Sequence, residues 1–96
     1  MARAIWNGTV IAESDDTVEV DGNLYFPPDS LKTEIFKDSP TTTVCGWKGT
    51  ANYYHLEQGG EKTADAAWVY RNPKAGAIQL RDRIAFYKSR GIQIEG

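Results

Sequence analysis

The residues best suited to chemistry lie in one short segment, Thr43–Tyr54, which reads T-V-C-G-W-K-G-T-A-N-Y-Y. This segment holds the only cysteine of the chain, Cys45, and a lysine, Lys48, between a tryptophan and a glycine. A cysteine becomes a nucleophile when a nearby cation or base lowers the pKa of its thiol. Cys45 is therefore the candidate catalytic residue, and Lys48 or the single histidine, His55, could assist it.

Each of these residues also has a purely structural interpretation. A cysteine at the end of a strand is often a small buried apolar group. A lone histidine is more often a surface or hydrogen-bonded residue than a catalyst, and a lysine usually faces solvent. No third residue that would orient a base can be named. The sequence therefore leaves open whether the protein is an enzyme.

Aromatic residues in the same region suggest a binding site. Tryptophan faces attract flat rings and cations, and small-molecule sites are commonly lined by aromatic side chains. Trp68 and Tyr70 are two positions apart, so on a strand their side chains would point to the same face. An aromatic and partly cationic pocket of this kind would hold a planar or anionic metabolite, with Trp47, Lys48, Tyr53, Trp68 and Tyr70 as its ligand-binding residues. The alternative is that the three tryptophans of the chain simply fill the core of a small domain.

Composition and charge exclude several classes of protein. The chain has 96 residues, enough for one domain, and a formal net charge of -2. Nucleic-acid binding depends on neutralising phosphates, and the basic residues here are dispersed, so we expect no nucleic-acid partner. No segment resembles a signal peptide or a membrane span, so we expect no membrane association.

The cysteine and histidine counts bear on compartment and cofactors. A single cysteine cannot form an intramolecular disulfide and fits a reducing compartment, so we expect a cytoplasmic protein. One cysteine and one histidine cannot make the four-ligand zinc site of structural zinc domains. We expect neither a metal nor a cofactor. The oligomeric state cannot be predicted.

Turn dipeptides divide the chain into short strands. Asn7-Gly8 and Asp21-Gly22 are typical of tight hairpins, because these residues tolerate positive φ. Gln58–Glu61 predicts a further hairpin tip. The segments between these turns are rich in β-branched and aromatic residues, which predicts strands at 3–6, 9–12, 17–20, 23–26, 41–44, 49–56 and 66–70.

Two other segments carry less regular signals. Ser30 resembles a helix N-cap, which predicts a short helix from Leu31 to Asp38 that Ser39-Pro40 would end. Residues 84–87 and 92–94 are predicted to form a last hairpin around residues 89–91. These elements together predict a mainly β fold of about eight strands and one short helix, in two antiparallel sheets within a single domain at 1–96.

Several short motifs in order also resemble a known family. The chain is similar to small β-tent domains grouped as domain of unknown function family 427, also labelled nucleotidyltransferase-like. The residues that carry the resemblance are Trp6-Asn7-Gly8, Ala12-Glu13-Ser14, Tyr25-Phe26-Pro27, Cys45-Gly46-Trp47-Lys48-Gly49, Tyr53, Ala67-Trp68, Tyr70, Pro73 and Ala85-Phe86-Tyr87.

The resemblance implies a fold and no established activity. It implies a β-tent, in which two antiparallel sheets meet at one edge and open at the other around a concave interior. Nucleotidyl transfer normally needs carboxylates that hold Mg²⁺ together. Asp15 and Asp16 are adjacent, so on a strand they would point to opposite faces. The chain also has Gly46 where the family commonly has proline, and Asp82 or Arg83 where the family commonly has glycine.

Three functions follow as hypotheses. The first is a small-molecule binding module that uses the aromatic pocket. The second is an enzyme of unknown reaction with Cys45 as nucleophile. The third is a protein-interaction adaptor that uses exposed aromatic residues or a sheet edge.

Overall fold

Nine β-strands and four short 3₁₀ turns make up the structure, a computed structural model that describes residues 1–96. The strands are β1 (Ala2–Trp6), β2 (Thr9–Ser14), β3 (Val18–Val20), β4 (Asn23–Tyr25), β5 (Phe36–Cys45), β6 (Gly49–Gln58), β7 (Glu61–Val69), β8 (Ile84–Phe86) and β9 (Ile92–Glu95). The 3₁₀ turns span Pro28–Ser30, Thr33–Ile35, Ala75–Leu80 and Lys88–Arg90. All strand pairs are antiparallel. The predicted mainly β, antiparallel fold is confirmed.

The strands form three sheets, where the sequence predicted two. One sheet has the order β2-β1-β9, another has the order β5-β6-β7-β8, and β3 pairs only with β4. Directly after β4, however, Phe26 exchanges two backbone hydrogen bonds of 2.8 Å with Ile84 of β8. The β3–β4 hairpin thereby continues the four-stranded sheet beyond β8. The third sheet is an extension of the second, joined to it by a single bridge.

The tight turns lie where the dipeptides predicted them. Asn7 and Gly8 have φ angles of 49° and 76°, and Asp21 and Gly22 have φ angles of 54° and 79°. These left-handed conformations favour asparagine, aspartate and glycine, which explains why the two dipeptides are such reliable hairpin signals. A third turn at Gly59 and Gly60 joins β6 to β7, as predicted.

The predicted helix from Leu31 to Asp38 is wrong. Ser30 ends a 3₁₀ turn and donates its hydroxyl to the Pro27 carbonyl at 2.6 Å, so it caps no helix. Only one 3₁₀ turn follows before β5 begins at Phe36. Residues 36–39 pair with residues 53–56 of β6, and the Phe36 ring packs edge-on against Tyr54 at 5.9 Å. Cross-strand pairing and burial outweigh the weak helix preference of so short a segment.

Pro40 also lies inside a strand, where a break was predicted. The pairing of β5 with β6 shifts between Ser39 and Thr42, which marks a bulge. Because β5 is an edge strand, a proline without an N–H group is tolerated there.

The predicted last hairpin is wrong as well. The strands at its two ends exist, but β8 pairs with β7 and β9 pairs with β1, so they belong to different sheets. The 3₁₀ turn at Lys88–Arg90 and Gly91, at φ 80°, carry the chain from one sheet to the other. Nearness along the chain predicted the wrong partner, because Ile84, Phe86 and Ile92 are all buried between the two sheets.

The four-stranded sheet is buried on both faces, and this positions the candidate site. One face packs against the β2-β1-β9 sheet through a cluster that includes Trp6, Phe26, Leu56, Ile84 and Phe86. Alternate residues of the same strands point to the opposite face. There they meet the β3–β4 hairpin and the 3₁₀ turn at Ala75–Leu80, in a second cluster of Tyr25, Ala51, Tyr53, Trp68, Tyr70, Ala77, Leu80 and Ala85. No helix of the structure has the length and apolar character that crossing a bilayer requires.

Candidate functional site

The second face of the four-stranded sheet holds most of the residues predicted to bind a ligand. Tyr53 comes from β6, Trp68 from β7 and Tyr70 from just after β7, and Lys48 lies in the turn before β6. Each of these four residues is only 6–7% exposed. The two-residue spacing of Trp68 and Tyr70 does put them on one face. Whether these residues bind a ligand stays a prediction.

The remaining two tryptophans lie elsewhere. Trp47 is 46% exposed, and its ring lies at the edge of the site, 5.2 Å from Lys48 Nζ. Trp6 is buried in the cluster on the other face of the sheet, where its Nε1 donates to Thr63 at 3.1 Å. One tryptophan therefore lies in the site, one borders it and one belongs to the main core.

Lys48 is the one charged side chain of the molecule that is buried. Its ammonium lies 2.7 Å from Oδ2 of Asp21, which sits in the tight turn between β3 and β4 and is 58% exposed on its side chain. Burial by itself lowers the pKa of Lys48, but the hydrogen bond to Asp21 and the electrostatic interactions with Tyr25, Asp21 and Tyr70 outweigh it, so the pKa is raised. Lys48 is therefore a permanent cation at physiological pH.

The rings of the site contact one another closely. Trp68 packs edge-on against Tyr25 at 6.2 Å and donates its Nε1 to the Tyr25 hydroxyl at 3.2 Å. Its other neighbour is Tyr87, with ring centroids 4.5 Å apart. Tyr87 lies parallel to Tyr53, and their hydroxyls are 3.1 Å apart. Thr43 continues this hydroxyl chain, at 3.0 Å from Tyr53.

Two aromatic members of the site, Tyr25 and Tyr87, were missed by the sequence analysis. The position of Tyr25 depends on how the β3–β4 hairpin folds against the sheet. Tyr87 could have been found, because it is two positions from Ala85 and so shares its face. The hydrogen bond to Tyr53, together with burial, raises the pKa of Tyr87 to about 12.

No open cavity lies among these rings. The molecule has two cavities of about 300 Å³ each, and both are elsewhere. One lies between β2 and the segment 30–32, and the other between the β3–β4 hairpin and the end of β9. A ligand of the aromatic site must therefore displace a group that now covers it, or lie against its exposed edge.

Cys45 ends β5 at the border of the same site and is partly exposed. The nearby backbone N–H groups of Lys48 and then of Trp47 lower the pKa of the thiol, and the Lys48 charge adds to this effect. Whether Lys48 assists a reaction of the thiol stays a prediction.

His55, in contrast, cannot assist Cys45. Cys45 pairs with Gly49 at one end of β6, and His55 is six residues further along, or about 20 Å at roughly 3.3 Å per residue. His55 Nδ1 instead accepts the backbone N–H of Asp65 at 3.0 Å. The suggested pairing of His55 with the thiol is wrong, because an extended strand separates residues that are only ten positions apart.

Asp65 is the centre of a polar network that the sequence did not predict. Its carboxylate accepts hydrogen bonds from Ser39 at 2.5 Å and from Thr41 at 2.8 Å. The hydrogen bond from Ser39, and then that from Thr41, lower the pKa of Asp65. Ser39 donates to the carboxylate and not to His55, so the three side chains do not form a nucleophile–base pair. No group of three or more histidine, cysteine, aspartate or glutamate side chains is arranged to hold a metal ion.

Comparison with known proteins gives one match. The model of a family described as a domain of unknown function (DUF427) matches residues 1–95, almost the whole chain. No curated protein matches the chain.

Proposed function

Since this chain belongs to the DUF427 family, whose description assigns no function, we propose one from the site itself: a small-molecule binding module. Its ligand would be a planar or anionic metabolite. The ligand-binding residues would be Lys48, Tyr53, Trp68 and Tyr70, with Trp47 at the rim.

The observation that carries this proposal is the buried ammonium of Lys48. Removing an ammonium ion from water costs several kcal/mol, and in Lys48 the pair with Asp21 and the neighbouring polar groups offset this cost. Apolar side chains of the same volume usually stabilise a small domain as well or better. A lysine that is 7% exposed, among aromatic rings, is therefore better explained by binding than by stability.

The surroundings of Lys48 suit a flat, negatively charged molecule. Its one carboxylate partner, Asp21, is held in an exposed turn and can leave the ammonium for solvent. Aromatic faces attract flat rings through dispersion and quadrupole interactions. The exposed face of Trp47 lies directly beside the ammonium and provides such a surface.

A thermal-shift screen of planar and anionic metabolites tests the proposal. We expect at least one compound to raise the melting temperature of the protein, and the shift to disappear in Lys48→Met and to shrink in Trp68→Phe. Lys62→Met is the matched control, because Lys62 is exposed at the β6–β7 turn, away from the site. Equal shifts in the control and in the Lys48 variant, or no shift with any compound, would contradict a binding function here.

An enzyme that uses Cys45 as nucleophile is a second candidate. The specific observation that favours it is a partly exposed thiol whose pKa is lowered by the backbone N–H groups of Lys48 and Trp47. A free thiol of this kind also suits a reducing compartment, and we propose the cytoplasm.

Iodoacetamide labelling of the folded protein tests this second candidate. The labelling rate should rise with pH and reach half its maximum below the pH at which an ordinary cysteine does so. Cys45→Ser provides the blank, and the unfolded protein provides the reference thiol. A thiol that reacts only after unfolding cannot be the nucleophile.

A further inference from the structure

We infer that the ligand of this site is a flat-ring carboxylate, which binds by taking the place of the Asp21 carboxylate on Lys48. This inference rests on the proposed binding function and names the class of ligand. In the structure, the chain supplies this anion from its own hairpin turn.

Asp21 is placed to be exchanged. Lys48 is its one ion-pair partner, at 2.7 Å, and its side chain is 58% exposed. The turn that carries it is attached to the rest of the sheet through the bridge between Phe26 and Ile84. The carboxylate can rotate into water without leaving a buried group of its own unpaired. A ligand that reaches Lys48 thus competes with one surface side chain and not with the core.

Lys48 and Tyr70 lie in the same site and offer two donor groups, one for each oxygen of a carboxylate. Of the phenols in the site, Tyr25, Tyr53 and Tyr87 have hydrogen-bond partners within the protein, whereas the Tyr70 hydroxyl has none. Burial raises the pKa of Tyr70, so its hydroxyl keeps the proton it would donate. One ammonium and one free phenol supply a single positive charge and two donors.

The number of positive charges and donor groups beside Lys48 also argues against a phosphate monoester as the ligand. Phosphate carries up to two negative charges and three acceptor oxygens, and its sites gather several donors or cations. Here the backbone N–H groups of Trp47 and Lys48 already interact with the Cys45 thiol and lower its pKa. The neighbouring Lys74 ammonium donates to the Gly46 carbonyl at 2.7 Å. The group that pairs with Lys48 in the structure, the Asp21 carboxylate, is of the same chemical class as the proposed ligand.

The ring of the ligand would lie on Trp47. This indole is 46% exposed and its centroid is 5.2 Å from Lys48 Nζ, so a ring that lies against it has its carboxylate close to the ammonium. Binding in this way needs only the departure of Asp21, and the closely packed rings of Tyr53 and Trp68 stay in place as the floor of the site.

Nuclear magnetic resonance titration with benzoate, benzamide and phenyl phosphate tests the inference. Benzoate should shift the backbone signals of residues 46–48 and 70, neutral benzamide should not, and phenyl phosphate should bind more weakly than benzoate. The Asp21→Asn variant removes the carboxylate that competes with benzoate for Lys48. It should tighten benzoate binding by about tenfold or more, because Lys48 is then always free to bind the ligand. Asparagine tolerates the positive φ of this position, so the variant should fold. Lys48→Met should abolish binding.

The controls separate this inference from the broader proposal. Asp29→Asn changes another exposed carboxylate, on the neighbouring 3₁₀ turn, and should leave benzoate binding unchanged. Benzamide or phenyl phosphate binding as tightly as benzoate, or no gain in affinity in Asp21→Asn, overturns the inference. If other compounds from the thermal-shift screen still need Lys48 in order to bind, the proposed binding function stands although the carboxylate inference fails. If no compound needs Lys48, the binding function and the carboxylate inference are both wrong.

Discussion

Phenol hydroxyls are the most numerous ionisable groups on the buried face beside Lys48. Tyr25, Tyr53, Tyr70 and Tyr87 all contribute to it, and Cys45 and Asp21 are further titrating groups near Lys48. A phenol is neutral at physiological pH and ionises near pH 10 in water. Lys48 therefore keeps its positive charge over the whole physiological range, and the phenols add negative charge only in alkaline solution.

Tyr87 should ionise at a distinctly higher pH than an ordinary phenol. Its hydrogen bond to Tyr53 and its burial raise the pKa to about 12 in the folded protein, against about 10 in the unfolded chain. The folded state thus holds this proton more tightly. The associated stability is fully present below about pH 10 and is lost as the pH rises towards 12. Ultraviolet absorbance of tyrosinate, followed against pH, measures the late step.

The Tyr87→Phe variant is the control for that titration. This variant should lose the absorbance step at high pH and keep the rest of the tyrosinate titration curve. A wild-type curve in which every tyrosine titrates together near pH 10 would show that the Tyr53–Tyr87 hydrogen bond does not form.

Individual residues of the site could be predicted only as far as strand periodicity reaches. Trp68 and Tyr70 share a face because alternate residues of a strand must do so. The burial of Lys48 could not be foreseen, because it depends on the β3–β4 hairpin folding over the turn before β6. The same hairpin brings in Tyr25. The burial of Lys48 and the position of Tyr25 both depend on contacts between distant segments, and no local sequence pattern encodes such contacts.

Among the elements, β5 has the most unusual construction. It is an edge strand of ten residues with a bulge at Pro40, and opposite it Asp65 in β7 has a φ of 48°. The Asp65 carboxylate holds Ser39 and Thr41 on either side of the bulge. A bulge leaves backbone groups without their usual partners, and here the Ser39 hydroxyl accepts the Thr41 backbone N–H at 3.1 Å. Asp65 therefore ties the bulge of β5 to β7.

Replacing Asp65 should destabilise the fold. Hydrogen bonds to a charged group contribute about 1.5–3 kcal/mol, so Asp65→Ala should lower the free energy of unfolding by about that amount. Because Ser39 and Thr41 lower the pKa of Asp65, its contribution is present above the unfolded carboxyl pKa of about 4 and is lost as the pH falls through the folded value. Urea unfolding at neutral and at acidic pH measures both effects.

Two comparisons make this test specific. Asp29→Ala removes an exposed carboxylate and should change stability little. The difference in the free energy of unfolding between wild type and Asp65→Ala should become smaller at acidic pH. A difference that stays constant with pH would mean that the network does not depend on the carboxylate charge.

At the level of elements, turns could be predicted and strand partners could not. Asn7-Gly8 and Asp21-Gly22 specify their hairpins because positive φ is a local property. The partner of β8 depends on which buried face the strand completes, and that is a property of the assembled sheets. The segment after Ser30 carries a capping residue and apolar spacing, yet pairing with β6 determines its structure.

The molecule as a whole is organised around one sheet with two buried faces. The Cα radius of gyration is 12.5 Å, close to the roughly 13 Å expected of a compact domain of about this size. Fourteen buried residues form the cluster on one face and eight form the cluster on the other. The larger cluster lies between sheets and holds the fold together. The smaller one includes the candidate site, so substitutions in the two should have separable effects.

Phe86→Ala should test the larger cluster. Phe86 is 3% exposed and packs edge-on against Phe26 at 5.7 Å. Removing such a ring typically costs about 3–5 kcal/mol, a large share of the roughly 5–15 kcal/mol that stabilises a small domain. Val44→Thr, at a residue 79% exposed on β5, should change stability by less than about 0.5 kcal/mol. Guanidinium unfolding measures the stability of both variants. A similar loss of stability in Phe86→Ala and Val44→Thr would contradict this assignment of the core.

The pairing of β1 with β9 has a consequence for how the protein acquires its fold. Arg3 pairs with Glu95, so this ladder closes a loop that contains nearly every other residue. Long-range pairings are slow to form, because the chain loses much conformational freedom before the contacts offset that loss. During synthesis β1 is made long before β9, so the edge of β1 that later pairs with β9 exposes a row of unsatisfied amide and carbonyl groups in the meantime. Newly made chains should therefore be most vulnerable to misassociation during that interval.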